Sequence, residues 1–457
     1  MDPARLVIAS NRGPVSFARD RDGRLVARRG GGGLVASLGP LVAGTDATWV
    51  AAAMGDADRE AAADGVAEAD GFRFRCLDID PATYRAAYDV VANSTLWFLH
   101  HHLWDLPRRP RFDRHWREAW EGYRAYNEAF ARALADEAPD GATVLVQDYH
   151  LCLVAPKLVA KRPDLRPVHF HHTPFCSPEW LEVLPDDVAT ELIEGLAAYD
   201  ACGFHSPRWE AGFRACADRV LGSSPPTFVA PLPPAAASLE RVAASEACAE
   251  EGRRLEERVG DRRLIVRVDR MEPSKNIVRG FFAYDELLAA RAELREKVSF
   301  FAFCYPSREG LAEYLGYHRE VEAAAEMVNG RWGTESWTPV VLFDDDNFPR
   351  SVAALQRYDV LLVNPVRDGM NLVALEGPVV NRHDGIVALS RQAGAWDVLS
   401  GAAEGLNPFD VAGTAEALGA ALDLPGPERR ERSGAIRERV GSLDLHDWLD
   451  TQVSSAR

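Results

Sequence analysis

Short apolar runs alternate with longer amphipathic stretches through most of the chain, an alternation that predicts parallel strands joined by helical crossovers. Strands are expected at 5–9, 143–146, 168–171, 264–268, 298–303 and 360–363, each an apolar run of four to six residues. Helices are expected at 116–136, where Trp116, Trp120, Tyr123, Tyr126 and Phe130 recur every three or four positions, and at 280–294. The fold class is therefore α/β. The pattern breaks at 225–237 (PPTFVAPLPPAAA), where prolines remove backbone donors, and resumes with a charged helix at 245–259. A domain boundary belongs there, giving domains at 1–235 and 236–444. Both halves open with a strand followed at once by a polar, basic loop, 6–12 in the first and 264–275 in the second. Two Rossmann-like, doubly wound domains facing each other would place such loops on the cleft between them, where these folds bind ligands.

Length and composition agree with that division. A chain of 457 residues is too long for one core of ordinary size, and 47% hydrophobic with 26% charged residues is an ordinary globular balance. The net charge of −17 repels phosphate backbones and anionic membranes, so neither nucleic acid nor membrane is an expected partner. No run reaches the eighteen apolar residues of a membrane span, and MDPARLVIASNRG has too short an apolar run for a signal peptide, so the expected location is cytoplasmic. The sequence leaves homo-oligomer formation open. Seven cysteines, odd in number and never in a C-x-x-C pair, imply free and mostly buried thiols. Histidines cluster at 100–102 and at 169, 171 and 172, yet without H-E-x-x-H or Cys/His finger spacing, so no metal is expected.

Five stretches carry candidate chemistry. The run Arg28-Arg29-Gly30-Gly31-Gly32-Gly33 precedes an apparent helix, where Gly32 and Gly33 would let backbone N–H groups approach an anion; a linker turn is the plain alternative. Arg270 and Lys275 follow the strand at 264–268, and two cations in a strand-to-helix loop suit a diphosphate. Arg367-Asp368-Gly369-Met370-Asn371-Leu372 follows another apolar strand. Gly369 permits a tight turn there, the N–H groups that follow can meet phosphate, and Glu376, one to two turns into the next helix, could bridge ribose hydroxyls. Asp148 in Gln147-Asp148-Tyr149-His150 and His172 in His171-His172-Thr173-Pro174 each stand just past a strand, where they can hydrogen-bond sugar hydroxyls.

In this order, SNRGP, GGGGLV, NSTLW, QDYH, HTPF, VDRMEPSKN, YPSR, VNGRWG, WTPV, RDGMNLVALE and LSRQAGAWDVL resemble the family-20 retaining glycosyltransferases over nearly the whole chain. The resemblance implies the two-domain GT-B fold, an acceptor-binding first domain, a nucleotide-sugar-binding second domain, and a last helix near 445–457 crossing back to the first. By motif it places Arg270 and Lys275 on the donor diphosphate, Asp368 on the transferred sugar, Glu376 on the ribose, and Asp148 and His172 beside the reacting sugars. Arg12, Tyr88, Trp97 and Arg308 match the acceptor-phosphate site, and Phe348 lies in the segment where the nucleobase packs. The implied reaction moves glucose from GDP- or UDP-glucose to glucose 6-phosphate, giving trehalose 6-phosphate, with no cofactor. Asp344-Asp345-Asp346 read either as a solvated acidic turn or as a contact to guanine, since a carboxylate can accept from its N1 and N2 donors.

The chain also departs from the family pattern. After Thr48-Trp49-Val50 a second tryptophan is usual, and here the stretch reads Ala51-Ala52-Ala53-Met54; Leu375 replaces a lysine, and 230–234 reads APLPP. A smaller residue leaves more room for the acceptor. Two alternatives follow: a pseudo-glycosyltransferase joining a nucleotide-activated cyclitol to an amino-cyclitol phosphate, and a non-catalytic sugar-nucleotide-binding protein.

Overall fold

The computed structural model describes residues 5–29, 33–63, 66–308 and 310–456. The chain divides into two compact units, Met1–Leu232 with Leu445–Arg457, and Pro233–Asp444. Among the described residues the first unit contains β1 (Leu6–Ser10), β2 (Val15–Arg19), β3 (Leu25–Arg29), β4 (Thr48–Ala52), β5 (Val66–Ala69), β6 (Phe72–Leu77), β7 (Thr143–Gln147), β8 (Arg166–His171), β9 (Ala201–Phe204) and β10 (Thr227–Val229). The second contains β11 (Arg263–Arg270), β12 (Val298–Tyr305), β13 (Val340–Phe343), β14 (Val360–Val363), β15 (Ile386–Ser390) and β16 (Glu404–Leu406).

The second sheet runs β13-β12-β11-β14-β15-β16 and every pair is parallel. Counted from its own first strand, this is the order 3-2-1-4-5-6 of a dinucleotide-type sheet, which reverses direction between β11 and β14. The first sheet runs β10-β9-β8-β7-β1-β4-β6-β5, parallel except for the edge strand β5, and reverses between β1 and β7. Strands β2 and β3 form a separate hairpin.

Alternation along β11 shows why the second sheet is covered on both faces. Leu264, Val266 and Val268 enter one apolar cluster, while Ile265 enters the cluster on the other face. Arg267 and Asp269 continue the Ile265 face. Both are buried and they pair at 2.8 Å, with Arg267 also donating to the Lys275 carbonyl. That pairing corrects the expected strand end. The expected strand ends at Val268, but Arg267 and Asp269, by satisfying each other, let β11 run through Arg270, in register with Tyr305. Arg270 is therefore the last residue of the strand rather than part of the loop after it.

Other boundaries move for local reasons. The helix expected from Trp116 starts at Arg114, because Asp113 accepts from the Trp116 N–H and caps it, and it ends at Glu137. The helix expected at 280–294 is Ile277–Ala290 followed by a short 3-10 turn, Ala292–Leu294. Ser245 caps Glu246–Val259 through the Cys248 N–H. All seven cysteines are free, and all but the half-buried Cys76 are buried. No helix among the described residues is long and apolar enough to cross a membrane.

Candidate active site: clusters at the two switch points

In doubly wound sheets, ligands sit past the carboxyl ends of the strands where the order reverses. In the first unit those ends belong to β1 and β7. At the end of β1, Ser10 accepts from the Trp49 indole at 2.8 Å, and just past it Asn11 accepts from the Tyr126 hydroxyl at 2.6 Å. These bonds hold the backbone from which the exposed Arg12 projects. Its guanidinium lies 3.5 Å from the Tyr88 hydroxyl. Tyr88 stands on an eleven-residue π-helical stretch, Ala86–Leu96, which passes directly into the helix Trp97–His101. Such wide turns often mark functional sites. Tyr88 stacks on His150, His150 packs on Tyr149, and Tyr149 packs on Trp97 at 5.8 Å, so Arg12, Tyr88 and Trp97 form one connected cluster. Beside Arg12 opens a cavity of about 250 Å3, lined also by Ala51, Ala52, Met54 and Phe74.

Past β7, Asp148 has φ 74° and ψ 165°, a region almost reserved for glycine. Surrounding bonds dictate it. Its N–H donates to the Phe170 carbonyl at 2.8 Å, and its carboxylate accepts from the His172 N–H at 3.2 Å. The His172 ring meets Gln147 Oε1 at 2.8 Å, and Gln147 Nε2 donates to Gln452 Oε1 at 3.1 Å. With the Gln147 carbonyl turned to it, His172 carries its proton on Nε2. Burial, with His205 and His169 nearby, holds its pKa well below the ordinary value, so the ring is neutral. Gln147 and Gln452 escaped the sequence reading because 305 positions separate them.

Two glycines expected to approach an anion, and one group the spacing did not suggest, also belong to this unit. Gly33 is the exposed first residue of the helix Gly33–Val42, and Gly32 lies outside the described residues. Cys152, His169 and His171 are buried with a ligand atom of each within 4.8 Å of the others. Linear spacing missed this group, since residues two apart on β8 share a face. Each member is also engaged as core: His171 with Thr173 at 2.8 Å, His169 against Tyr199, and Cys152 donating to the Tyr149 carbonyl.

In the second unit the switch-point ends are those of β11 and β14. Lys275, closing the 3-10 turn Pro273–Lys275, pairs with Asp368 at 2.6 Å, and Asn371 donates to the same carboxylate oxygen at 3.1 Å. Burial opposes the lysine's charge, yet Asp368, Asp269 and Glu272 raise its pKa above the ordinary value. Asn371, at φ 67°, supplies the left-handed residue of this turn. The turn is stitched to the next loop by Gly394 N–H to the Asp368 carbonyl and Ala395 N–H to the Met370 carbonyl. Beyond the half-buried Leu372 the helix Val373–Val380 begins, so Glu376 falls in its first turn, earlier than expected, and burial pushes its carboxyl up to about 7. Gly369 lies between Asp368 and Met370 in the same turn.

Arg270, Glu272 and Arg308 form a second group there. Glu272 is fully buried, with Oε1 3.2 Å from Arg270 Nε and 3.8 Å from Arg308 Nη1. Arg308 has φ 50° and donates to the Tyr314 hydroxyl at 2.5 Å. Phe348 opens the helix Phe348–Arg357 with its ring half exposed, and Asp345 of the acidic turn is committed to Arg350 at 2.6 Å. Sequence reading passed over Glu272 as one acid among many; its burial between two arginines is visible only in space.

Two doubly wound units, one ending in an arginine–aromatic cluster and the other in paired cations and carboxylates, define a GT-B glycosyltransferase. The glycosyltransferase family 20 model matches residues 4–457, and the chain belongs to that family. It is 33% identical to a trehalose-6-phosphate synthase of Mycolicibacterium vanbaalenii, over 97% of this chain and 94% of that protein. Among solved structures it is similar to the E. coli protein described as "Trehalose-6-phosphate from E. coli bound with UDP-2-fluoro glucose" (TM-score 0.86, 25% identity, 98% of each chain). It is also similar to a UDP-forming alpha,alpha-trehalose-phosphate synthase of Burkholderia xenovorans in complex with glucose-6-phosphate (TM-score 0.84, 27% identity, 98% of this chain and 99% of that one).

Proposed function

We propose that the protein transfers glucose from a nucleoside-diphosphate glucose to the anomeric hydroxyl of glucose 6-phosphate with retention, giving trehalose 6-phosphate. The observation that carries this reading is the cluster of Arg270, Lys275 and Asp368 at the switch point of the second unit. In this reading Arg270 and Lys275 hold the donor diphosphate and Glu376 the ribose, and Asp368 meets the sugar while keeping Lys275 charged. Arg12, Tyr88, Trp97 and Arg308 take the acceptor phosphate, and Asp148 and the neutral His172 hydrogen-bond the sugars.

No residue needs to form a covalent intermediate. The bond from the anomeric carbon to the diphosphate oxygen breaks and its electron pair stays with the diphosphate. The acceptor oxygen forms the new bond on the same face, and its proton passes to the departing diphosphate. The chain's contribution is alignment and stabilisation of the growing negative charge. For the base we propose uridine: Asp345 is spent on Arg350, which weakens the case for guanine, and similar proteins are UDP-forming.

The test is incubation with UDP-glucose or GDP-glucose and glucose 6-phosphate, following diphosphate release and identifying the 1,1-linked product by NMR. Absence of that product with either donor overturns the reading. The cavity beside Arg12 favours one further acceptor class, an amino-cyclitol phosphate, which belongs in the same panel.

A further inference from the structure

We propose that Glu272 is a positioning residue that orients Arg270 and Arg308 together, so that one buried carboxylate organises both the donor-diphosphate and the acceptor-phosphate contacts. The inference rests on the roles proposed above for those two arginines. Glu272 is two residues past the end of β11 and is fully buried, whereas an isolated carboxylate is almost never found so. Its Oε1 faces Arg270 Nε at 3.2 Å and Arg308 Nη1 at 3.8 Å and accepts from the Ser307 hydroxyl at 3.1 Å. Its Oε2 makes no hydrogen bond among the described residues. Burial alone would neutralise the group. The two arginines, with Lys275 and Ser307, outweigh it and hold the carboxyl below its usual pKa, so it is a working anion.

Orientation follows from which edge of each guanidinium the carboxylate meets. By holding Arg270 at Nε, Glu272 directs the opposite Nη1–Nη2 edge, the fork that fits two phosphate oxygens, away from itself. Arg308 sits in a left-handed backbone conformation that a bulky residue adopts only when its contacts enforce it. Those contacts include the Tyr314 hydroxyl and ring, and Glu272. A single carboxylate thus sets the direction of two cations that serve different substrates.

The test uses the full-length protein and steady-state kinetics with UDP-glucose and glucose 6-phosphate. Glu272→Asp keeps the charge but withdraws it by one methylene, and Glu272→Gln keeps the shape but removes the charge. Each is expected to raise the acceptor KM through Arg308 and to lower kcat through Arg270, each about tenfold or more, the scale of a lost charge-assisted contact. On an Arg308→Ala background the added effect on the acceptor KM disappears while that on kcat persists, and on an Arg270→Ala background the reverse holds. A merely structural role would not switch in this way. If Glu272→Gln fails to fold, the Asp variant carries the same measurement. An unchanged acceptor KM and kcat, or effects that persist when the matching arginine is gone, overturn the inference. Absence of turnover by the unaltered protein refutes the underlying reading instead, so the two failures are distinct.

Discussion

Replacing Arg270 by Ala tests whether the second unit's cations act on the transition state or only anchor the donor. Negative charge grows on the leaving phosphate as the glycosidic bond breaks, so a cation beside it gains value in the transition state. A unit charge about 4 Å from that oxygen at an effective dielectric near 20 is worth about 4 kcal/mol, and a lost preorganised donor about 2.7 to 4. Arg270 is 45% exposed, which puts solvent screening against it and argues for the lower end. The expected fall in kcat is therefore about a hundredfold. Removing the nearer cation from the fully buried Glu272 should also cost about 1 to 3 kcal/mol of stability, with Ser307 and Arg308 left as its partners. Arg270→Lys should recover only part of the rate, since a point charge lacks the fork. The assay is diphosphate release with both substrates saturating, beside a thermal melt. A raised donor KM with kcat unchanged would refute the transition-state role.

Three further outcomes are expected. Lys275→Met takes the paired cation from the mostly buried Asp368 carboxylate and should cost up to about 3 to 5 kcal/mol in urea unfolding, most of it recovered in Lys275→Met/Asp368→Asn; no recovery would mean the pair is not the cause. Gln452→Leu leaves the buried Gln147 amide without its acceptor and should cost about 1 to 3 kcal/mol, with Gln147→Leu/Gln452→Leu closer to the unaltered protein in the same unfolding assay. Glu376 has its pKa raised from 4.5 to about 7, so its ionisation opposes folding: the penalty is absent below pH 4.5, grows as pH rises, and levels off above 7. Glu376→Gln should then stabilise the protein at pH 8 by up to roughly 3 kcal/mol and at pH 4 by almost nothing, and a pH-independent difference between the two melts would refute this.

Strand identity was legible in the sequence because a parallel strand buried on both faces must be apolar nearly throughout, as Leu6–Ser10 and Val360–Val363 are. Where the apolar rule fails, legibility fails with it: β11 continues through Arg267 and Asp269 only because they neutralise each other. Arg12, Tyr88 and Trp97 were named from motifs, but what joins them, a stack through His150 and Tyr149 on a π-helical segment, has no linear signature. Lys275 and Asp368 were both expected to meet the donor. That they meet each other is a fact of strand order, which puts β14 beside β11 although β12 and β13 intervene in the chain.

The helix Leu445–Ser454 belongs to the first unit although the whole of Pro233–Asp444 is made before it. On a ribosome, which emits residues in order, the first sheet therefore waits for its last piece while the second unit is synthesised and has the chance to fold. Until then the place of Trp448 against Phe170 and His172 is empty, and Gln147 Nε2 lacks the Gln452 acceptor. A fragment cut at Leu232 should be a sticky, incomplete half, whereas Pro233–Asp444, an insertion with its own two-faced core, is the piece to express alone. The surroundings of the neutral His172 are thus completed only by residues made after the whole second unit.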